Sequence, residues 1–186
     1  VRLHTGDPCI YGAIREQMDE FDRLGISYQV CPGVNSFCGA AAALNMEYTL
    51  PEISQSVVIT RMAGRTPVPE RESIASFAAH GATMVLFLSS GMVAELADEL
   101  VRGGYGADTP AAIVYRATWD DEKKVVCTVG TLAERAAGEQ IRKTALIIVG
   151  NAVSQSGYAL SKLYDSGFTT EYRQGSDSEE AQKERK

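Results

Sequence analysis

Twice in this sequence an apolar run breaks at proline and glycine and a helix follows, and that repeated junction limits the possible folds more than any other feature. The first is Arg2-Leu3-His4-Thr5-Gly6-Asp7-Pro8-Cys9-Ile10-Tyr11-Gly12; the second is Tyr28-Gln29-Val30-Cys31-Pro32-Gly33-Val34-Asn35-Ser36-Phe37-Cys38-Gly39. Gly6 lets the backbone come close to a ligand, and Pro8 presets a helical φ for the turn that follows. One such segment alone reads as a plain turn, because Asp and Gly are common turn residues. Two of them, one strand-helix unit apart, can form neighbouring walls of one pocket.

Periodicity supplies the rest of the outline. Ile14, Met18, Phe21 and Leu24 fall at helical spacing, which predicts a helix over residues 11–24 with Gly25 as its stop. Short strands are predicted at 2–4 and 28–31, and a small-residue helix at 37–44, capped by Ser36 or its neighbour. Residues 45–56 break the periodicity, and the pattern then restarts. Strands are expected at 57–61 and 83–88, helices at 70–80 and 92–102. Strands at 112–117 and 124–129 flank Trp119-Asp120-Asp121-Glu122 as a hairpin; a helix at 132–137 and a buried strand at 145–149 complete the set. The alternation predicts an α/β protein of two α/β domains with mainly parallel sheets. Residues 1–50 would be the remainder of an N-terminal domain whose first part is expected to be missing, since the chain opens without methionine and inside a strand. Residues 51–56 would be a linker, 57–172 a C-terminal domain, and 173–186, polar and charged, a disordered tail.

Composition removes several function classes. A formal net charge of −6 with no basic stripe argues against nonspecific nucleic-acid binding. No apolar run approaches the ~20 residues of a membrane span, and the opening residues read as neither the basic region nor the cleavage signal of a secretory leader, so a cytoplasmic location is the default expectation. Cys9, Cys31, Cys38 and Cys127 lack paired ligand spacing, and His4 and His80 are the only histidines, so no metal site is expected and the thiols read as buried and reduced. No Ser-His-Asp or Cys-His set suggests hydrolysis.

Several spaced segments together carry a family resemblance. Thr5-Gly6-Asp7-Pro8, Pro32-Gly33-Val34-Asn35-Ser36, Thr60-Arg61-Met62-Ala63-Gly64-Arg65-Thr66-Pro67 and Pro110-Ala111-Ala112-Ile113-Val114-Tyr115-Arg116-Ala117 resemble, in order, the tetrapyrrole methylases. The likeness covers residues 1–150. Around Arg61 to Glu70 it is nearest to the members that methylate C11 of precorrin-4 or cobalt-precorrin-4 in corrin biosynthesis. The resemblance implies S-adenosylmethionine as cofactor in a cleft between the domains, a tetrapyrrole substrate and a homodimer. It also implies a further βαβ stretch at the amino end with a glycine-rich loop that closes over the cofactor.

By the same resemblance Thr5, Gly6, Asp7 and Ile10 hold the methionine half of the cofactor, Asn35 and Ser36 add contacts, and Leu88 and Ala117 line the adenine and ribose. Read without the family, Asp7 is an Asx turn or helix cap, Asn35 or Ser36 a cap, and Leu88 and Ala117 core. Asp7 could both turn the chain and accept from the cofactor's ammonium group. Arg61, Arg65 and Arg116 are the candidates for the substrate's carboxylates, which guanidinium groups meet in a forked geometry. No catalytic base is assigned; Tyr11 and Tyr115 are possible donors but read first as packed aromatics. The alternatives are another tetrapyrrole, such as uroporphyrinogen III, or a noncatalytic dimerising α/β module.

Overall fold

The computed structural model describes residues 1–165 and 167–175. Five strands form one sheet in the order β1-β2-β5-β3-β4, where β1 is Val57–Arg61, β2 Thr83–Phe87, β3 Pro110–Tyr115, β4 Lys123–Thr128 and β5 Ala145–Val149. The helices are α1 (Ile14–Leu24), α2 (Ser36–Leu44), α3 (Ile74–Ala78), α4 (Val93–Arg102) and α5 (Leu132–Gly138). The α/β class follows from the sequence pattern, but the mainly parallel pairing does not hold. Among the described strands only β1 and β2 pair in parallel, with Val57 opposite Thr83 and Arg61 opposite Phe87. The pairs β2–β5, β5–β3 and β3–β4 are antiparallel. A short polar turn joins β3 to β4 as a hairpin, which can only be antiparallel, and β5 enters between β2 and β3 from the opposite direction.

Side chains alternate across β2, and every residue of that strand is buried. Met84 and Leu86 face one layer with Ile113, Ile147 and Val149, covered by Ile74 and Ala78 of α3, Leu96 and Leu100 of α4, and Leu132 and Ala136 of α5. Val85 and Phe87 face the other layer with Ala112, Val114, Leu146 and Ile148, covered by Ala40, Phe37, Ala43 and Leu44 of α2. The small residues of α2 allow that close approach to the sheet. The buried Thr83 is satisfied: its hydroxyl donates to Tyr48 O at 2.9 Å and its N–H to Ser54 Oγ at 3.0 Å.

Residues 2–4 and 28–31, expected as strands, belong to no ladder. A strand exists only through a hydrogen-bonded neighbour, and the described residues supply none there. α1 accordingly buries none of its residues fully and carries exposed ion pairs, Arg15–Asp19 and Arg23–Glu20, of small energetic weight. Gly25 ends it in the left-handed region at φ 67°, as expected. The helix predicted over 70–80 is broken into a 3-10 turn, Glu70–Glu72, and α3, because Ser73 adopts an extended backbone and caps α3 through its hydroxyl, which accepts from Ser76 N–H. The expected burial of the cysteines is corrected as well. Cys9, Cys31 and Cys38 are exposed and Cys127 is half-buried, since the first two lie on the junction loops and Cys38 on the outer side of α2. The tail expected over 173–186 lies, from 176 onward, outside the described residues. No helix among the described residues is long and apolar enough to cross a membrane.

Candidate functional site

The two Pro-Gly junctions meet backbone to backbone. Asp7 Oδ1 accepts from the Cys9 N–H at 2.8 Å, an Asx turn within its own loop, and Oδ2 accepts from the Gly33 N–H at 2.7 Å in the other. These contacts hold its carboxyl below its ordinary value: first the Cys9 thiol, then the backbone N–H groups of Gly33 and Cys9. Thus the turn reading of Asp7 is realised, and its oxygens are committed to the protein backbone. A Cβ on Gly33 would stand 2.1 Å from Gly6 O, so only glycine fits where the loops cross.

Just beyond the crossing begins α2. Asn35 is buried and is the cap, its Oδ1 accepting from Phe37 N–H at 3.3 Å, while Ser36 is exposed as the first helical residue. The N-terminal end of a helix presents unpaired N–H groups and favours negative charge.

β2 ends against this corner. Leu88 follows the buried strand in a left-handed conformation, φ 51°, and is 67% exposed. The sequence suggests a core leucine there, but the reversal of φ turns it outward. Ser89 stabilises the reversal: its hydroxyl donates to Phe87 O at 2.7 Å and accepts from Met62 N–H at 2.9 Å. Tyr11, Arg116 and Thr118 are also left-handed, at φ 58°, 47° and 73°. Non-glycine residues in this region are uncommon, and here four of them gather around the same corner.

Two adjoining cavities, of about 350 and 520 Å³, occupy that corner. They share Thr5, Gly6, Asn35, Ser36, Phe87 and Leu88 as a common wall. The first adds Asp7, Ile10 and Tyr11; the second adds Arg116, Ala117 and Trp119. All the residues singled out for the cofactor therefore line one or other of two joined spaces, whose sizes fall in the range of small-molecule sites. A wider groove of about 630 Å³ lies between α1 and the segments at 1–8 and 28–33, lined by Ile14, Met18, Phe21 and Val30 among others. Of the candidate residues it holds Gly6, and the smaller pair is the candidate site.

The arginines separate. The Arg61 guanidinium donates to the carbonyls of Met62 at 3.1 Å, Thr66 at 3.0 Å and Pro67 at 3.0 Å, so it folds the 62–67 loop. Arg65, on that loop, is exposed and has no ion pair among the described residues. Arg116 lines the second cavity, paired with Asp121 at 2.5 Å and lying 5.0 Å from the ring centroids of both Tyr115 and Trp119. Its Nε is buried without a hydrogen-bond partner among the described residues. Sequence reasoning passed over Phe87, Thr118 and Trp119 as lining residues. Phe87 closes an apolar run that reads as core, and Trp119 sits in a turn that reads as a solvated link.

The family model described as Tetrapyrrole (Corrin/Porphyrin) Methylases matches residues 1–133. A cobalt-precorrin-4 C(11)-methyltransferase of Methanocaldococcus jannaschii is 53% identical over 93% of this chain and 67% of its own length. The precorrin-4 C(11)-methyltransferase of Pseudomonas aeruginosa is 42% identical over 94% of this chain and 69% of its own. Among solved structures, a cobalt precorrin-4 methyltransferase of cobalamin biosynthesis superposes with TM-score 0.80 at 46% identity, covering 82% of this chain and 64% of that one. A uroporphyrin-III C-methyltransferase from Thermus thermophilus, complexed with S-adenosyl homocysteine, superposes with TM-score 0.68 at 25% identity, covering 81% and 65%. The chain thus spans about two thirds of the length of the relatives it matches.

Proposed function

This chain belongs to the tetrapyrrole methylase family, and from that membership and the geometry of the joined cavities we propose that it serves methyl transfer from S-adenosylmethionine to C11 of precorrin-4 or its cobalt form. The observation that carries the reading is the convergence of Thr5, Gly6, Asp7, Ile10, Asn35, Ser36, Leu88 and Ala117 on one pair of cavities. A tetrapyrrole methylase uses S-adenosylmethionine, and the residues present fit it. The close crossing at Gly6 and Gly33 brings backbone to the cavity edge, and the start of α2 offers N–H groups suited to an amino-acid carboxylate. The exposed Leu88, with Ala117, supplies an apolar wall for a nucleoside.

Bound there, the cofactor would supply an electrophilic methyl group to a nucleophilic carbon of the substrate. The protein's share is then orientation and exclusion of water, and no side-chain nucleophile is required. Thr5 and Ser36 hold the polar end. Arg65 meets a substrate carboxylate, Arg61 acts through the loop it folds, and Arg116 presents a stacked cation at the second cavity. We also place the enzyme in the cytoplasm as a homodimer that takes no nucleic acid; the net charge of −6 supports the last, and the exposed Leu24, Ile26 and Val30 offer apolar surface for a second copy. The division at 51–56 remains our reading of the domain boundary, with α2 reaching across it to cover the second sheet face. The precorrin-4 reading is favoured over uroporphyrinogen III by identities of 42% and 53%, against 30% for a Bacillus subtilis uroporphyrinogen-III C-methyltransferase.

The test is turnover on metal-free and cobalt-containing precorrin-4 and on uroporphyrinogen III, read as mass gain of one methyl group. Calorimetry and Trp119 fluorescence report the cofactor; this is the only tryptophan in the chain, and it lines the second cavity. Faster methylation of uroporphyrinogen III would replace the substrate assignment, and absence of cofactor binding would overturn the whole reading.

A further inference from the structure

Tyr11 has no part in the function argued so far, yet its position is specific. It lies in the left-handed region at φ 58°, a conformation that bulky side chains rarely adopt. Its ring packs against Phe87 with centroids 5.3 Å apart and planes tilted by 50°. It remains 45% exposed and, with Phe87, lines the cavity that also holds Thr5, Gly6, Asp7, Asn35 and Ser36.

A methyl donor of the sulfonium class is positively charged at sulfur, and its demethylated product is neutral there. A site that distinguishes the two needs something at hand that favours a cation. Among the described residues Asp7 is the only carboxylate lining this cavity, and both its oxygens accept from backbone N–H groups, of Cys9 and Gly33. In the adjoining cavity the charged side chain is Arg116, which is of the wrong sign. Arg61 and Glu72, both within electrostatic reach of Tyr11, are opposite in sign; beside these charges the cavity wall carries the electron-rich faces of the aromatic rings, which attract cations at contact range through their quadrupole.

We propose that Tyr11, braced by Phe87, is a positioning residue that recognises the sulfonium charge by a cation–π contact and so sets the preference for S-adenosylmethionine over S-adenosylhomocysteine. This rests on the cofactor reading above. The ring is the recognising group, and the hydroxyl is dispensable.

Calorimetric titration of the chain with each ligand separates the possibilities. Tyr11→Leu should lower the ratio of S-adenosylmethionine to S-adenosylhomocysteine affinity by roughly 3- to 30-fold, while Tyr11→Phe keeps the ratio. Both variants keep an apolar side chain against Phe87, and circular dichroism checks that they fold. Equal weakening of both ligands in Tyr11→Leu, with the ratio unchanged, would overturn the proposal and leave the cofactor site in place. A ratio lost in Tyr11→Phe as well would assign the effect to the hydroxyl and overturn it too. If the unsubstituted chain binds neither ligand, the cofactor reading itself falls and this inference falls with it.

Discussion

Asp7 Oδ2 accepts a hydrogen bond from the Gly33 N–H at 2.7 Å, so two loops 26 residues apart in sequence are fastened by one side chain at the edge of the candidate site. That fastening changes what a substitution at Asp7 should do. A residue that only touched the ligand would lower affinity and leave the loops alone. A residue that ties the loops should loosen both at once.

Asp7→Ala is expected to weaken S-adenosylhomocysteine binding on the order of tenfold and to speed amide exchange at Gly33 and Cys9. The pH dependence has a fixed sign. The carboxyl is held below its ordinary value of 3.8, chiefly by the Cys9 thiol and then by the Gly33 and Cys9 N–H groups. Its contribution is therefore fully present above that value and is lost as pH falls through the lower folded value. Binding of the neutral-sulfur ligand should show no Asp7 titration between about pH 5 and 7. A step in affinity within that range that disappears in Asp7→Ala would contradict the assignment.

Gly33→Ala is the sharper test of the crossing. Its Cβ would meet Gly6 O at 2.1 Å, a backbone contact that no rotamer change relieves. The loops must part, at a local cost of about 1–3 kcal/mol by analogy with overpacked sites. Ligand affinity should fall at least as far as in Asp7→Ala, while the main thermal transition stays close to that of the parent, because neither loop contributes to the two core layers. Unchanged affinity in a calorimetric titration would show that the crossing does not shape the site.

Substrate recognition makes a separate demand on the two arginines of the 60–67 segment. Arg65→Ala removes an exposed cation and should raise the Michaelis constant for the tetrapyrrole on the order of tenfold, with cofactor affinity intact. Raised salt should reproduce part of the loss. Arg61→Ala frees three carbonyls, those of Met62, Thr66 and Pro67, and should also make the loop susceptible to proteolysis. If Arg61→Ala leaves the loop as resistant as in the parent, the three backbone hydrogen bonds are not what holds it.

These variants also mark where the sequence was informative. β1 at Val57–Arg61 and β5 at Ala145–Val149 lie where periodicity puts them, because each is a short apolar run with clear turn signals around it. Residues 28–31 have the same local character and make no ladder, since pairing is a property of the neighbour. The direction of β5 was equally hidden: antiparallel insertion between β2 and β3 depends on contacts distant in sequence. Leu88 illustrates the limit at the site. Its side chain is that of a core residue, and nothing in its identity signals the φ of 51° that turns it into the cavity wall. Asp7 was readable as a turn residue from its own loop, but its bond to Gly33 was not.

Stability should be divided along the chain in the same way as burial. The core clusters contain no residue before Phe37, and α1 has none fully buried, whereas β2 is buried throughout and lies between β1 and β5. Opening β2 requires exposing both layers, so its amides should exchange only through global unfolding. Residues 28–31 hold no ladder hydrogen bonds and should exchange by local opening. Leu96→Ala, a deletion at a fully buried side chain between α4 and the sheet, should cost about 2–5 kcal/mol and accelerate exchange in β2 and β5 together. Exchange at 28–31 should hardly change in that variant, because its opening does not pass through the core. Slow exchange at 28–31 combined with fast exchange at Val57–Arg61 would reverse the order and sink the claim that the sheet from β1 onward is the stable frame on which the junction loops rest.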